Sequence, residues 1–207
     1  RAERLKAART SLLAVDLLLS VVPGITGALF LFFFTAARGI AAETASALLL
    51  GYFLAGLLAA PLWVKGAGRY GKHRMAALAG LWLGGAQLGI WAIPGGQTTW
   101  TAIAFVLAGA PISAPAFLLR AMLADLADAQ ALDRMEASHA GGETTGLNFA
   151  ILTATQKLGY AIPVGLTYPI LELVGFDPTP GADNSAGAIA GLSFLFVVPP
   201  LLLGALA

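Results

Sequence analysis

A chain of 207 residues that is 58% hydrophobic and 11% charged, with a mean hydropathy of +0.81, cannot cover a water-facing surface with polar side chains; soluble domains carry roughly 25% charged residues. It reads as an all-α integral membrane protein in contact with the lipid bilayer, and a net charge of +1 offers no electrostatic footprint for nucleic acid. With no cysteine and with His73 and His139 as its two histidines, thiol catalysis and metal clusters are not expected, so neither a metal nor another cofactor is predicted.

A helix crosses a bilayer with about 20 apolar residues. Six segments qualify, at 12–37, 42–64, 75–94, 99–126, 143–174 and 186–207. Runs such as Leu29 to Phe34 do not alternate, which argues against β-barrel strands. The first span follows Arg1, Arg4, Lys6 and Arg9 and carries Asp16 and Pro23. Its apolar stretch is too long for a signal peptide and passes Pro23 and Gly24 without a cleavage site. Arg38, Gly39 and Glu43 separate it from the second span.

The second span ends in Gly66-Ala67-Gly68-Arg69-Tyr70-Gly71-Lys72-His73, which fits two nucleotide-loop patterns. Both patterns need a strand before and a helix N-terminus after to aim backbone donors at phosphates. A long apolar helix precedes this segment, and His73 stands where a magnesium-holding Ser or Thr would be. The reading is a short basic turn spanning Lys65 to Arg74.

The third span is rich in small residues (Gly80, Gly84, Gly85), as is the sixth (Gly187, Gly191), a packing pattern for membrane helices. Pro94-Gly95-Gly96-Gln97 is a turn cluster, and Phe176 to Ser185 holds Pro178, Pro180 and Gly181. Pro23, Pro61, Pro111, Pro115, Pro163, Pro169, Pro199 and Pro200 all fall inside spans, where each removes a backbone donor. Ser193 has no histidine near it in sequence, so no serine hydrolase, and no enzyme activity, is expected.

The fifth span differs from the rest. At 3.6 residues per turn, Gly146, Thr153, Lys157, Tyr160, Val164, Thr167 and Tyr168 fall along one side, with Gln156 at its edge. Leu147, Ile151, Ala154, Leu158 and Ile162 form another side that is wholly apolar. Lys157 lies near the midpoint, where a cation costs about 2.5–3.5 kcal/mol on insertion scales. It is either a structural lysine bridging helices or a residue of an ion or substrate pathway with Thr153, Gln156, Tyr160 and Asn148. None of the acidic residues shares its depth: Asp16 lies toward one end, Glu172 toward the other, and Asp125, Asp128, Asp133, Glu136 and Glu143 lie at or beyond the cytoplasmic end of the fourth span. Its counter-charge is therefore expected on another chain or on a missing half of the protein. Asp16 and Arg120 lie at similar depth and form a candidate intramembrane pair, although Arg120 could equally snorkel.

Nine of the twelve basic residues (Arg1, Arg4, Lys6, Arg9, Lys65, Arg69, Lys72, Arg74, Arg134) lie on one side, against Arg38 on the other. With six spans, the positive-inside rule then puts both ends in the cytoplasm, and a cell inner membrane is the expected location. The sequence opens on Arg1 and closes on Ala207 inside an apolar run, so it reads as a fragment cut at both ends.

Three features carry a family resemblance: Pro61-Leu62-Trp63 followed by Gly68 to Arg74, Met122-Leu123-Ala124-Asp125-Leu126-Ala127-Asp128, and Gly146-Leu147 through Gln156-Lys157-Leu158-Gly159. Across the whole chain the sequence resembles the C-terminal six-helix half of a major facilitator superfamily transporter of the glycoside–pentoside–hexuronide:cation symporter branch, the melibiose carrier and its relatives. The resemblance implies half of a twelve-helix bundle built as a 3+3 inverted repeat, completed by an N-terminal half absent here. It implies symport of a sugar with Na⁺ or H⁺ by alternating access, with Lys157 near a cation site of the other half. Arg69, Gly71, Lys72, Arg74, Asp125 and Asp128 would then be cytoplasmic gating motifs. An exporter of drugs or metabolites, and a six-helix module without transport activity, are the alternatives.

Overall fold

The computed structural model describes the backbone of residues 2–136 and 145–207 and the side chains of 3–132 and 146–207. The expected start of the fifth span at 143, with Arg1, His139, Gly141, Gly142 and Glu143, lies outside the described residues, as do the side chains of Asp133, Arg134, Glu136 and Thr145. The described residues form seven helices and no strand: α1 (Ala2–Phe32), continued by a π-helical turn at Phe33–Ala37, α2 (Ala42–Tyr70), α3 (Lys72–Ala92), α4 (Thr98–Ala108), α5 (Ala114–Glu136), α6 (Thr145–Leu173) and α7 (Ala186–Leu206). Glu3–Ala37, Ala42–Tyr70, Lys72–Ala92 and Ala186–Leu206 are long and apolar enough to cross a membrane. α6 has the length, at 29 residues, but its threonines, Gln156 and Lys157 dilute its apolarity.

α1 is the central post. It packs most broadly on α6, and also on α7 and α5, while α3 lies mainly against α7. Both principal pairs meet through small residues. A Cβ on Gly24 of α1 would stand 2.8 Å from the carbonyl oxygen of Gly159, and one on Gly159 would run into Ser20. A Cβ on Gly84 of α3 would stand 2.6 Å from the carbonyl oxygen of Pro200, and Gly80 and Gly204 back onto each other. Such positions let helix backbones touch where lipid supplies no hydrophobic drive. Of the other glycines expected to serve packing, Gly191 meets Val174, whereas Gly85 meets open space and Gly187 touches nothing closer than Ser185.

The two ends of the bundle are held differently. At one end Phe33 stacks on Phe196 at 4.0 Å, and Phe105 lies between Phe30 and Tyr52. There the Arg38 guanidinium donates to the carbonyls of Ile90, Trp91 and Ile93 at 2.7–2.8 Å, capping the C-terminus of α3 with a positive charge. At the other end Leu12, Leu19, Leu119, Leu123 and Leu152 form a smaller core.

Two expectations need correction. The span expected as one helix over 99–126 is two helices, and the second runs on to Glu136. Pro111 donates no hydrogen bond and disfavours helix in the residue before it. The chain from Gly109 to Ser113 closes tight turns instead, with Ile112 N–H on the Gly109 carbonyl and Ala114 N–H on that of Pro111. α2 holds the break: the Trp63 indole donates to the Ala110 carbonyl at 2.9 Å, and the Ser113 hydroxyl to the Gly56 carbonyl at 3.0 Å. Six other span prolines (Pro23, Pro61, Pro163, Pro169, Pro199, Pro200) leave their helices continuous.

The basic turn from Lys65 to Arg74 is likewise not a loop. α2 continues to Tyr70 and α3 begins at Lys72, so the reversal is made at Gly71 alone. Its φ of +92° is a conformation that a Cβ disfavours, which explains glycine there. Residues 66–70 are helical and their N–H groups are engaged within the helix, so no phosphate cradle forms.

Candidate functional site

α6 shows three faces. Asn148, Leu152, Gly159, Pro163, Thr167 and Leu171 are buried, and the Gly159 stretch of this stripe lies against α1. Leu147, Leu158 and Ile162 are exposed at 57%, 57% and 40%, forming the apolar side. Lys157, Tyr160, Val164 and Tyr168 are exposed as well, but on the polar side. Thr167, expected among them, turns inward and donates to the Pro163 carbonyl. Thr153 is half-buried and donates to the Phe149 carbonyl.

The polar side borders a cavity of about 450 Å³. Tyr160, Val164 and Tyr168 of α6 line it, facing Gly24, Thr26 and Gly27 of α1, Tyr52 and Phe53 of α2, and Ile112 in the α4–α5 break. The break therefore turns an otherwise helical wall into one with an irregular corner. The Tyr168 hydroxyl makes a long contact of 3.5 Å to the Ala28 carbonyl. Behind the wall, Gln87 of α3 is 2% exposed and donates to the Thr26 hydroxyl at 2.9 Å, while that hydroxyl donates to the Val22 carbonyl. Interhelical hydrogen bonds of this kind contribute about 0.6–2 kcal/mol in membranes, and this one fixes Thr26 on the cavity surface.

Beside the cavity, four of the sequence-predicted residues come together. Arg120 of α5 donates to Gln156 Oε1 at 3.1 Å. Asp16 of α1 is 3% exposed, and its Oδ2 has no hydrogen-bond partner among the described residues. Arg120 gives its bond to Gln156 rather than to Asp16, but lies close enough to act on Asp16 through its charge. Tyr160 lies within the electrostatic reach of both. Lys157, next to Gln156, makes no ion pair among the described residues and points away from the packed core.

Asn148 is not part of this group. It lies twelve residues before Tyr160, about 18 Å along the helix, and is 2% exposed. Arg9 donates to its Oδ1 at 3.2 Å and its amide donates to Gln130 at 3.3 Å, so it ties α1, α5 and α6 together.

The basic and acidic motifs meet at that same end. Lys72 donates to both carboxylate oxygens of Asp125 at 2.6 and 2.8 Å, and to the Ala121 carbonyl at 3.3 Å, joining the start of α3 to α5. Arg69 lies over the Tyr70 ring at 5.5 Å. Arg74 and Asp128 are exposed.

The sequence profile of a family described as MFS/sugar transport protein matches residues 6–207. The chain belongs to that family. No curated protein and no solved structure matches it. As a member of the MFS/sugar transport family, the chain is a multi-pass membrane transporter. Tyr52, Phe53 and Thr26 of this transporter's cavity wall, and Gln87 behind it, carry little signal in the sequence. Gln87 carried the one available signal, as a lone amide in a helix of apolar and small residues.

Proposed function

We propose that the chain is the C-terminal half of a cation-coupled sugar symporter working by alternating access. In this reading six spans put both ends of the segment in the cytoplasm of an inner membrane, and an N-terminal six-helix half completes the bundle. α4, the break and α5 together make the fourth span. The observation that carries the reading is the cavity beside the exposed polar side of α6, in a chain of a sugar-transport family. Its tyrosines offer apolar ring faces to the C–H face of a sugar ring and hydroxyls to the sugar's own hydroxyls. The apolar sides of α6 and α7 face lipid.

Lys157 projects toward the other half and pairs there with a carboxylate of the cation site. A fixed ammonium beside that acid favours its ionised form and opposes an arriving Na⁺ or H⁺, and so tunes cation affinity. Lys72 and Asp125, with Gly71 as the pivot, form a cytoplasmic latch that holds one transport state. Such exposed charge pairs are worth about 0.2–1 kcal/mol, weak enough to open and close within a transport cycle.

The full-length protein in liposomes, offered a panel of radiolabelled mono- and disaccharides, tests this. At least one sugar should accumulate when an inward Na⁺ or H⁺ gradient is imposed and should only equilibrate without it. No sugar uptake above empty liposomes under either gradient overturns the proposal.

A further inference from the structure

Asp16 is an ionisable group with an unusual set of neighbours. It is 3% exposed, it sits on a membrane-spanning helix, and its Oδ2 lacks a hydrogen-bond partner among the described residues. An ionised carboxylate so placed would draw the nearest guanidinium onto itself, because an unpaired buried charge is far costlier than an unpaired buried amide. Yet Arg120 bonds to Gln156. The arrangement is that of a neutral acid beside a cation whose one recorded hydrogen bond goes to Gln156 although its other N–H donors are available to a carboxylate.

Other charges do not substitute for Arg120. On α1 itself, Arg9 is held by Asn148. On α5, Asp125 is paired with Lys72. On α6, Tyr160 is the titratable group within reach, and Lys157 stands on the neighbouring exposed side. α7 contains no titratable side chain, and those of α3 cluster at its start, as Lys72, His73 and Arg74.

We propose that Asp16 is a proton-binding site within this bundle, and that its protonation decides whether Arg120 bonds to Gln156 or to the carboxylate. On protonation the carboxylate gains one proton from water and loses its charge, and Arg120 rests on Gln156, as seen. On release the proton returns to water, and Arg120 turns to the carboxylate and leaves Gln156. Gln156 stands one helical turn before Tyr160, which lines the cavity, so the exchange takes place next to the wall that a sugar would touch. The use of the site in proton-coupled transport rests on the transport reading above; the site itself does not.

Infrared difference spectra of the full-length protein in lipid, without substrate, test the site over about pH 4 to 9, which spans ordinary and buried carboxyls. The carbonyl stretch of a protonated acid should vanish as pH rises, shift when aspartate carrying a ¹³C-labelled carboxyl is supplied, and be missing from Asp16→Asn. If Asp16→Asn does not fold, Asp16→Glu serves: the band persists but loses its sensitivity to the aspartate label. The Gln156 side-chain amide resonance should follow the same pH profile in the wild type and stay fixed in Asp16→Asn. A band unchanged in Asp16→Asn, still label-sensitive in Asp16→Glu, or absent from the wild type overturns the proposal, as does a Gln156 resonance that ignores pH. A protein that accumulates sugar without this band keeps the transport reading and loses the proton site; a protein with the band but no sugar movement does the reverse.

Discussion

The α1–α6 and α3–α7 pairs are built alike on the inside and differ on the outside. Each brings two backbones together through glycine, Gly24 with Gly159 in one and Gly84 and Gly80 with Pro200 and Gly204 in the other. Beyond that contact, α3 and α7 present Leu81, Trp82, Leu88, Trp91, Phe194 and Leu202, while α6 presents Lys157, Tyr160 and Tyr168 beside Leu158 and Ile162. Close packing therefore says where the scaffold is rigid, and the character of the outer face says which surface meets lipid and which meets something polar.

The largest effect should come from filling a glycine contact. Gly84→Leu forces a side chain against the Pro200 carbonyl and Leu201, a cost of about 1–3 kcal/mol or more. We expect loss of monodisperse protein or a marked fall in Tm. Gly85→Leu, one residue on and facing open space, should leave Tm near the wild type. Equal sensitivity at both positions would break the comparison.

The α4–α5 break comes next. Trp63→Phe leaves the part-buried Ala110 carbonyl without its indole donor, and a net hydrogen bond is worth about 0.5–1.5 kcal/mol. Tm should fall, and hydrogen exchange should rise between residues 109 and 113. An unchanged exchange rate there would show that α2 does not hold the break.

A smaller effect is expected at the Lys72–Asp125 pair, whose side chains are 37% and 64% exposed. Lys72→Ala and Asp125→Ala should each change stability by less than about 1 kcal/mol, yet slow sugar uptake, and the double variant should be no slower than either single one. Additive losses of rate would mean that the two residues act separately.

The smallest effect concerns pH at the connection between α6 and α7. Asp177 is held below the ordinary carboxylate range by hydrogen bonds from Thr179. Because its folded value is depressed, its contribution is present above the unfolded value, about 3.9, and is lost as pH falls through the folded one. The protection of the Thr179 amide, measured against its intrinsic exchange at each pH, should therefore fall on acidification below the ordinary aspartate range. Asp177→Asn, which cannot ionise, should lack that acid step.

Four of the six expected spans and the turn clusters were legible because apolar length and grouped Gly and Pro are local signals. Arg38-Gly39, Pro94 to Gln97 and Phe176 to Ser185 all separate helices. Proline was not enough to locate the break. Pro111 interrupts its helix where α2 offers the Gly56 carbonyl and the Trp63 indole, and Pro163 or Pro199 does not, a distinction that needs the tertiary neighbour. Helical periodicity sorted the faces of α6 by angle, and so put Lys157, Tyr160 and Tyr168 together. It could not tell that Thr167 turns inward or that Asn148 is a bracket for Arg9, because those depend on what α1 places opposite. Depth along the spans brought Asp16 and Arg120 to one level, but that Arg120 gives its hydrogen bond to Gln156 of a third helix is not encoded in one-dimensional spacing.

If the polar side of α6 serves transport and not packing, the charge of Lys157 is where that shows. Uptake of the transported sugar by liposomes holding the full-length protein should be compared between the wild type and Lys157→Ala, with and without an imposed cation gradient. Lys157→Ala should leave Tm unchanged, keep most of the downhill flux and lose gradient-driven accumulation. Lys157→Arg should restore it incompletely, since a guanidinium is larger and differently shaped. Normal cation-driven accumulation by Lys157→Ala would contradict the account.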